Sequence, residues 1–412
     1  MSAWRESALG ELLEDATPGF ACGEDTDGGV FQFRMNNITP EGQLDLSKRR
    51  RVPRDYRSID RYAVQCGDVL FNATNSPDLV GKSAFFPGLD EPAVFSNHFL
   101  RLRPRDDRLD GRYLTRWLNL QFLHARFKGM CRQWVNQATV GREALMSLRV
   151  PLPTLPEQQR IAAILDKADA LRAKRRAVLA KLDTLAQSIF LDMFGDPATN
   201  PKGWPRRLIA EVATVITGNT PSRQRSEYYG DEIEWIKSDN INTPQYYLTP
   251  ALERLSATGQ RVARVVPAGS ILVTCIAGSQ ACVGNSAMTD RTVAFNQQIN
   301  AVVPKEGDAH FIYGQLRIGK RLVQQASTAA MKGMVSKSRF EQVGLVWPPS
   351  TMQERYSELV MAIERHAVAQ RESLASIERL FASLQHRAFR GELTASDNSA
   401  ASIDTVQAPT SC

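Results

Sequence analysis

Cysteine is scarce in this chain, which has six cysteines among 412 residues and no C-x-x-C pair. The pattern therefore indicates neither a disulfide framework nor a zinc site built on paired cysteines. Long apolar runs are also missing, because no stretch reaches the ~18 residues that a membrane-spanning helix requires. The first residues, MSAWRESALGELLED, are too acidic and polar for a signal peptide. We therefore expect a cytoplasmic protein with no membrane partner.

Charge of one sign is not strongly in excess. The chain has 51 Lys and Arg against 44 Asp and Glu, a net charge of +7. This mild basic excess suits a nucleic-acid partner without requiring one. A hydrophobic content of 43% is typical of a folded protein with apolar residues for more than one core. At roughly 150 residues per domain, the length indicates two or three domains.

The second half of the chain repeats the first at a spacing close to 200 residues. Five ordered matches carry the repeat: residues 4–12 with 204–212, 35–38 with 238–241, 66–72 with 268–274, 80–84 with 283–287, and 95–98 with 295–298. Identity is low while the hydrophobic and turn pattern persists. We therefore expect two copies of one fold that display different side chains. The alternative is a repeat that serves stability alone.

Each copy ends in the same order of segments. Apolar residues at helical spacing in 114–122 and 312–323 predict a helix, and a basic loop and a proline-containing strand follow it. A long helix then follows each proline segment, from about 157 to 194 and from about 353 to 389. Both show an apolar heptad pattern, with Arg175 and Gln370 as polar interruptions. A single apolar stripe cannot be buried alone, so we expect the two helices to pack antiparallel on each other. Alternatively, each packs against its own globular copy.

Each candidate catalytic motif lacks a residue or a spacing that its chemistry requires. Gly81-Lys82-Ser83 ends like a phosphate-binding loop, but Ser76 stands where the leading glycine belongs and a strand-like segment follows. A nuclease centre near Asp78 lacks its second carboxylate, and the chain has no glycine-rich methyltransferase cofactor loop. Its five histidines show no metal-ligand spacing. We therefore expect no catalytic residue, no bound metal and no cofactor in this chain.

Amide and basic side chains recur at matching turns of the two copies. Asn and Gln can bond adenine edges in two places, while Arg and Lys bond guanine edges and phosphates. Taken singly, each such residue is more typical of a solvated surface, but recurrence in matched positions favours a DNA-binding role. The candidate DNA-binding residues are Asn36, Asn37, Asn72, Thr74, Asn75, Asn97, His98, Arg132, Gln133, Asn136, Gln137, Arg142, Asn240, Thr274, Asn296, Gln297, Gln298, Lys332, Lys337 and Arg339.

The junctions carry a family resemblance. Residues 150–161 read VPLPTLPEQQRI, the first long helix ends in FGDP at 194–197, the second copy starts with WP at 204–205, and the second helix ends in AFRGEL at 388–393. With this order of elements, the chain resembles, along nearly its whole length, the specificity subunit of bacterial type I restriction-modification enzymes. Before the second helix the sequence departs from the pattern and reads PPSTMQE at 348–354.

The resemblance implies an α+β fold in which two similar target-recognition domains are separated by a pair of long antiparallel coiled-coil helices, a pseudo-two-fold internal repeat. The implied borders are 1–152 and 198–348 for the recognition domains, 153–197 and 349–393 for the spacer helices, and 394–412 for a disordered tail.

The resemblance further implies a non-catalytic DNA reader. Each domain would read half of a bipartite target in double-stranded DNA, while the helices set the spacing and dock two methyltransferase subunits. Restriction subunits would join through those. S-adenosylmethionine, ATP and Mg²⁺ would then belong to the partner subunits. Two other classes stay open: a coiled-coil interaction protein without a DNA role, and an unrecognised DNA methyltransferase or nuclease.

Overall fold

The computed structural model describes residues 4–56, 59–133, 137–327 and 333–393. Its contacts divide the chain into two compact units, one formed by Met1–Lys174 with Leu374–Cys412 and the other by Arg175–Ser373. Both dividing points fall inside the long helices, so each helix contributes one part to each unit. The domain borders drawn from the sequence stay predictions, and the segment 394–412 lies outside the described residues.

The first unit is built on two small sheets, in which the strand orders are β2-β9-β5-β7 and β4-β3-β8. Further pairing joins β1 to β12 and gives the order β10-β11-β6. The strands are β1 (Glu6–Ala8), β2 (Leu13–Pro18), β3 (Val30–Phe33), β4 (Arg51–Val52), β5 (Val69–Asn72), β6 (Thr74–Asn75), β7 (Ser83–Phe85), β8 (Ala93–Phe95), β9 (Phe99–Pro104), β10 (Cys131–Gln133), β11 (Ala138–Val140) and β12 (Arg149–Pro151). The helices are α1 (Ile59–Tyr62), α2 (Gly111–Leu123), α3 (Arg126–Met130), α4 (Arg142–Met146) and the first part of α5 (Leu155–Phe194).

The second unit repeats this arrangement, with the strand orders β14-β21-β18-β19 and β16-β15-β20-β17 and the pair β13-β22. The strands are β13 (Arg206–Leu208), β14 (Ala213–Thr217), β15 (Tyr229–Ile236), β16 (Arg254–Leu255), β17 (Val265–Val266), β18 (Ile271–Thr274), β19 (Ser286–Met288), β20 (Val293–Phe295), β21 (Ile299–Pro304) and β22 (Gly344–Val346). The helices are α6 (Ile209–Val212), α7 (Ala257–Val262), α8 (Ala309–Ile318), α9 (Lys320–Gln325), α10 (Lys337–Glu341) and the first part of α11 (Ser350–Ala388).

The central strand β5 shows why the copies fold alike. Val69 and Phe71 pack in one apolar cluster while Leu70 packs in another, because successive side chains of a strand point to opposite faces. In β18 of the second copy, Ile271 and Leu272 are divided between two clusters in the same way. A short apolar run covered on both faces is therefore the local signal that both copies share, and the predicted repeat is confirmed.

The two long helices pair antiparallel within each unit. In the first unit, the Arg172 guanidinium lies over the Phe381 ring, with its central carbon 4.4 Å from the ring centroid. In the second unit, the rings of Phe190 and Tyr356 are 5.3 Å apart. Residue numbers fall along α11 as they rise along α5, which defines the antiparallel direction. The predicted α+β fold with two long helices is confirmed.

The predicted heptad stripe is only partly buried. Ile161 is fully buried, whereas Val178 and Leu185 are 36% and 47% exposed. Helix α5 also contributes to the globular cores of both units, which differs from the alternative interpretation that each helix packs against its own copy. Its first part shares a cluster with α2 and with the end of α11, and its last turns place Phe190 and Phe194 in the core of the second unit.

Candidate nucleic-acid interface

The repeated turn asparagines are interior residues that hold the backbone. Asn37 is 1% exposed; its Oδ1 accepts from the Arg34 amide at 2.8 Å and its Nδ2 donates to the carbonyls of Asp45 and Lys48, each at 2.8 Å. Asn240 repeats this role, accepting from the Lys237 amide at 3.0 Å and donating to a carbonyl 3.0 Å away. These two bonding patterns favour a turn-supporting role, and direct contact with bases stays a prediction.

A second group of candidates supports the neighbouring turn in the same manner. The Asn72 Nδ2 donates to the carbonyls of Thr74 and His98, each at 3.2 Å, and Asn75 donates to Asn72. Asn72, Asn75, Thr274 and Asn296 are all less than one-tenth exposed. The asparagine side chains fix the loops whose exposed residues can reach a ligand, whereas the buried Thr274 hydroxyl has no hydrogen-bond partner among the described residues.

Hydrogen bonds bring several candidates of the first copy into one surface. The Thr74 amide donates to the His98 carbonyl at 3.1 Å, and the hydroxyls of Thr74 and Thr139 are 3.1 Å apart. Strand β11 pairs with β6 on one side and with β10 on the other. In this pairing Arg132 is opposite Thr139, and Thr139 is opposite Thr74, while Gln137 directly precedes β11. The side chains of Arg132 and Gln137 are exposed. We call the Thr74, His98, Arg132 and Gln137 group the first loop cluster.

Equivalent loops meet in the second copy. The Cys275 amide donates to the Gln298 carbonyl at 2.9 Å, and the Val335 amide donates to the Cys275 carbonyl at 2.8 Å. The Ala277 amide donates to the Gly333 carbonyl at 2.9 Å. The loop that contains Gln297 and Gln298 and the segment 333–335 therefore form one surface, the second loop cluster.

The exposed candidates differ between the copies at the matched turn after β8 and β20. Asn97 is exposed and His98 half-buried in the first copy, and Gln297 is exposed and Gln298 half-buried in the second. Burial and the positive charge of Arg34 lower the pKa of His98, so its imidazole is neutral at pH 7. A neutral imidazole has one donor and one acceptor, which suits a base edge.

The remaining candidates are spread over other places. Asn36 is exposed and has no hydrogen bond to the first loop cluster among the described residues, and Arg142, Lys337 and Arg339 are exposed on the short helices α4 and α10. Asn136, Lys332 and the side chain of Gln133 lie outside the described residues.

Sequence reasoning missed two basic residues that precede the matched turns. Arg34 and Lys237 stand three positions before Asn37 and Asn240, so the internal spacing of the repeat could have found them. Lys237 forms an ion pair with Glu253 at 2.8 Å. Arg34 instead acts on His98 through its charge.

Several other kinds of site find no support in the part of the chain that the structure describes. It contains no group of three or more His, Cys, Asp or Glu side chains placed to hold a metal ion. Lys82, the lysine of the tested phosphate-loop motif, is buried and donates to the carbonyls of Met35 and Ile38 at 3.2 and 2.6 Å. None of the described helices has both the length and the apolar character needed to cross a bilayer.

Known proteins similar to this chain share a single description. A family profile described as the type I restriction modification DNA specificity domain matches residues 1–181 and 201–379. A Methanocaldococcus jannaschii protein, provisionally described as the MjaX specificity subunit of a type I restriction enzyme, is 21% identical over 91% of this chain and 90% of its own length. The HindI specificity subunit of a type I restriction enzyme from Haemophilus influenzae is 30% identical over 40% of this chain and 36% of its own length.

A solved structure is similar over almost the whole chain. The S subunit of a type I restriction-modification system from M. genitalium superposes with a TM-score of 0.62, covering 94% of this chain and 96% of that one. At 12% sequence identity, this likeness concerns the fold alone.

Proposed function

Since the chain belongs to the family of type I restriction modification DNA specificity domains, we propose that it is the non-catalytic DNA-reading subunit of a type I restriction-modification complex. Each loop cluster reads one half of a bipartite duplex target. The observation that carries this proposal is the matched turn, where one backbone arrangement displays Asn97 and His98 in the first copy and Gln297 and Gln298 in the second. A shared scaffold with different exposed amides and imidazole suits two readers of different sequence.

The two long helices are the proposed spacing element between the half-sites. Helix α5 continues without a break through the point where the two units divide, and α11 does the same in the opposite direction. An unbroken helix is a stiff connector that holds a fixed length at 1.5 Å per residue. We propose that this connection sets the unread gap between the half-sites and that the helices dock two methyltransferase subunits, through which restriction subunits join.

Catalysis is assigned to those partners. S-adenosylmethionine, ATP and Mg²⁺ would bind in the methyltransferase and restriction subunits, and adenine methylation would take place in a base pocket of the partner. Incubating the purified chain alone with DNA and labelled S-adenosylmethionine is expected to transfer no label. Transfer in the absence of any partner would refute the assignment and support the alternative of a methyltransferase.

Modular reading is tested with one exposed residue from each copy. The variants Asn97→Ala and Gln297→Ala, assembled with the methyltransferase subunits, are used to select duplexes from a random pool, which are then sequenced. Each variant is expected to relax base preference in one half of the target only, and the two variants should affect opposite halves. Loss of one bidentate contact corresponds to about 1–3 kcal/mol of discrimination at that base pair.

A matched control variant distinguishes a loss of base recognition from a non-specific effect of the substitution. Gln159 is an exposed glutamine at the start of α5, outside both loop clusters, so Gln159→Ala should leave the selected sequence unchanged. A change in both halves for either loop variant, or in neither, would contradict modular reading. A parent complex that selects no sequence over random duplex would instead support the coiled-coil interaction protein without a DNA role.

A further inference from the structure

The second unit contains a cavity of about 550 Å³ that the DNA-reading role does not use. It lies between helix α8 and the parts of α5 and α11 that belong to this unit, and its lining is largely apolar. A volume of this size is typical of sites for small organic ligands. The lining includes Tyr246, Tyr313, Gly314, Tyr356, Glu364 and Arg371.

The first copy has an ion-paired arginine at the position that corresponds to Gly314 of the cavity lining. The capping aspartates Asp110 and Asp308 begin α2 and α8, and Arg116 and Gly314 each stand six positions after them. In the first copy the Arg116 guanidinium donates to Asp166 at 2.8 Å and to Asp169 at 3.1 Å. A guanidinium clamped between two carboxylates therefore occupies the space between α2 and α5.

The second copy keeps one carboxylate of this arrangement and loses the guanidinium. Counted from the equivalent glutamines Gln158 and Gln353, Asp169 corresponds to Glu364, and Asp166 to Met361. The position of Arg116 is taken by Gly314, which has no side chain to reach into the space. A β-carbon at residue 314 would lie 2.6 Å from the Tyr356 hydroxyl, so Tyr356 occupies the space next to Gly314, and both residues line the cavity.

The residues around this carboxylate position differ between the copies, and those of the second copy suit a bound cation. Gln43, which donates to Asp169 at 3.3 Å, stands six positions after Asn37, and Tyr246 stands six after Asn240. Ile161 is likewise replaced by Tyr356. The rings of Tyr246 and Tyr313 lie 4.5 Å apart in an edge-to-face arrangement, and both residues line the cavity together with Glu364. Aromatic faces attract cations through their negative quadrupole.

Two polar groups in the cavity have spare bonding capacity. Asp169 accepts from Arg116, Arg172 and Gln43, whereas the carboxylate of Glu364 accepts only from Arg371 among the described residues. Burial raises the pKa of Glu364 despite that partner, as expected for an under-compensated carboxylate. Tyr356 is 3% exposed and lines the cavity, and its hydroxyl has no hydrogen-bond partner among the described residues.

The other charges of the lining bear on the sign of the ligand. Arg317 is already committed, because it donates to Asp183, to the Tyr313 hydroxyl at 2.9 Å and to the Pro244 carbonyl at 3.1 Å. Arg371 is paired with Glu364, and Arg176, which also lines the cavity, has a partner of its own. Glu364 is therefore the group with capacity to accept a further donor.

We propose that this cavity is a binding site for a guanidinium or amidinium group carried on an apolar stem, with Glu364 as its counter-ion and Tyr246, Tyr313 and Tyr356 as its walls. The planar cation lies in the cavity beside the position that corresponds to Arg116, and it donates to the free lone pairs of Glu364 and to the Tyr356 hydroxyl. Charge-assisted bonds of this geometry are the stronger class of protein hydrogen bonds.

The test uses three probes of equal shape and different charge: benzamidine, benzamide and benzoate. Calorimetric titration of the full chain, without DNA or partners, is expected to show benzamidine binding at least about tenfold more tightly than benzamide, with no binding of benzoate. Glu364→Gln should remove the preference for benzamidine, whereas Glu358→Gln, at an exposed position of α11, should leave it intact. Equal binding of benzamide, preferential binding of benzoate, or no binding of benzamidine would overturn the proposal.

A second variant gives two positions of the cavity lining the residues that the first copy has there. A β-carbon at Gly314 would lie 2.6 Å from the Tyr356 hydroxyl, so Gly314→Arg is combined with Tyr356→Ile, the residue found at Ile161. This double variant is expected to unfold at the parent temperature or above and to bind no benzamidine, since its own guanidinium fills the site. A folded double variant that still binds benzamidine at Glu364 would contradict the proposed position.

The guanidinium could come from a free small molecule or from an arginine of a bound protein. Repeating the benzamidine titration on the complex assembled with methyltransferase subunits distinguishes the two sources. If the assembled complex no longer binds benzamidine, the guanidinium comes from an arginine of the partner. If the complex binds benzamidine as tightly as the chain alone does, the guanidinium comes from a free ligand. Because the first titrations contain neither DNA nor partner, their failure is distinguishable from failure of the proposed DNA-reading role.

Discussion

The Arg175 guanidinium donates a hydrogen bond to the side-chain oxygen of Gln370, with Nη1 and Oε1 2.8 Å apart. These residues are the polar interruptions of the two heptad patterns, one on each long helix, and they face each other within the second unit. A polar pair in an otherwise apolar seam costs some stability but favours the one register in which both partners are satisfied. The bond therefore indicates how α5 and α11 are aligned.

Gln370→Leu should destabilise the chain by about 1 kcal/mol, because the half-buried Arg175 loses its acceptor. Arg175→Leu should have a smaller effect, and the double variant should recover part of the loss. Urea unfolding of the parent, both single variants and the double variant measures the coupling energy. Strict additivity of the two single effects would show that the hydrogen bond does not contribute.

Gln158→Ala should cost about 3 kcal/mol of unfolding free energy. Gln158 is fully buried; its side-chain oxygen accepts from the Asp110 amide at 2.9 Å, and its Nε2 donates to the carbonyls of Arg108 and Pro153 at 3.0 Å. Removing the amide leaves all three backbone groups without a partner. Urea unfolding checks the value, with Gln159→Ala as an exposed neighbour expected to change stability by less than about 0.5 kcal/mol. Equal effects of the two variants would show that these bonds do not hold the start of the helix.

Gly218→Ala should destabilise the chain by about 1–3 kcal/mol through overpacking. A β-carbon at Gly218 would lie 2.2 Å from the Asn296 carbonyl oxygen, which is backbone and cannot move aside as a side chain does. Gly278→Ala is the control, because a β-carbon added at Gly278 would meet no described atom within 4 Å. Thermal unfolding compares the two. A lowered melting temperature for the control alone would contradict the close approach at Gly218.

Glu234→Gln should reduce stability in a pH-dependent way. Burial acts to raise the pKa of Glu234, but hydrogen bonds from Arg291 and the Ala251 amide and the Arg291 charge outweigh it, so the folded-state pKa lies below the ordinary value of 4.5. A lowered pKa contributes stability that is present above pH 4.5 and is lost as the pH falls through the folded-state value. The variant should therefore be less stable by about 1–3 kcal/mol at pH 7.

Urea unfolding at pH 7 and at pH values below 4.5 checks this window, because the difference between parent and variant should shrink on acidification. Glu232→Gln, at an exposed position of the same strand, should show no such dependence. A difference between Glu234→Gln and the parent that stays constant with pH would mean that the lost interaction is not that of the ionised carboxylate.

Periodic features of the fold could be predicted from the sequence. The heptad patterns predict the two long helices α5 and α11, and the short apolar run predicts strand β5. They do so because helical and strand periodicities indicate which face of an element is buried. The same periodicity failed at Val178 and Leu185. Apolar spacing does not reveal that the last turns of α5, with Phe190 and Phe194, pack in a globular core.

The candidate interface was less predictable for a different reason. Asn72 and Asn97 are alike as residue types, yet one is buried and holds a turn while the other is exposed. An asparagine is buried where carbonyl groups lie within reach of its side chain, as the His98 carbonyl does for Asn72. The sequence does not show where such carbonyl groups lie in the folded chain. The correspondence of Arg116 with Gly314 was hidden as well, because the spacing between the copies changes along the chain.

The glutamine at the start of each long helix makes its contacts with main-chain atoms. Gln353 accepts from the Asp308 amide at 3.1 Å and donates to the Pro348 carbonyl at 2.9 Å, as Gln158 does with its own copy. Main-chain groups are offered by any polypeptide that makes the same bend, whatever its side chains are. These hydrogen bonds would therefore be kept if another recognition domain with an equivalent bend preceded the helix, whereas the apolar contacts of Ile161 with the domain core would have to be matched anew.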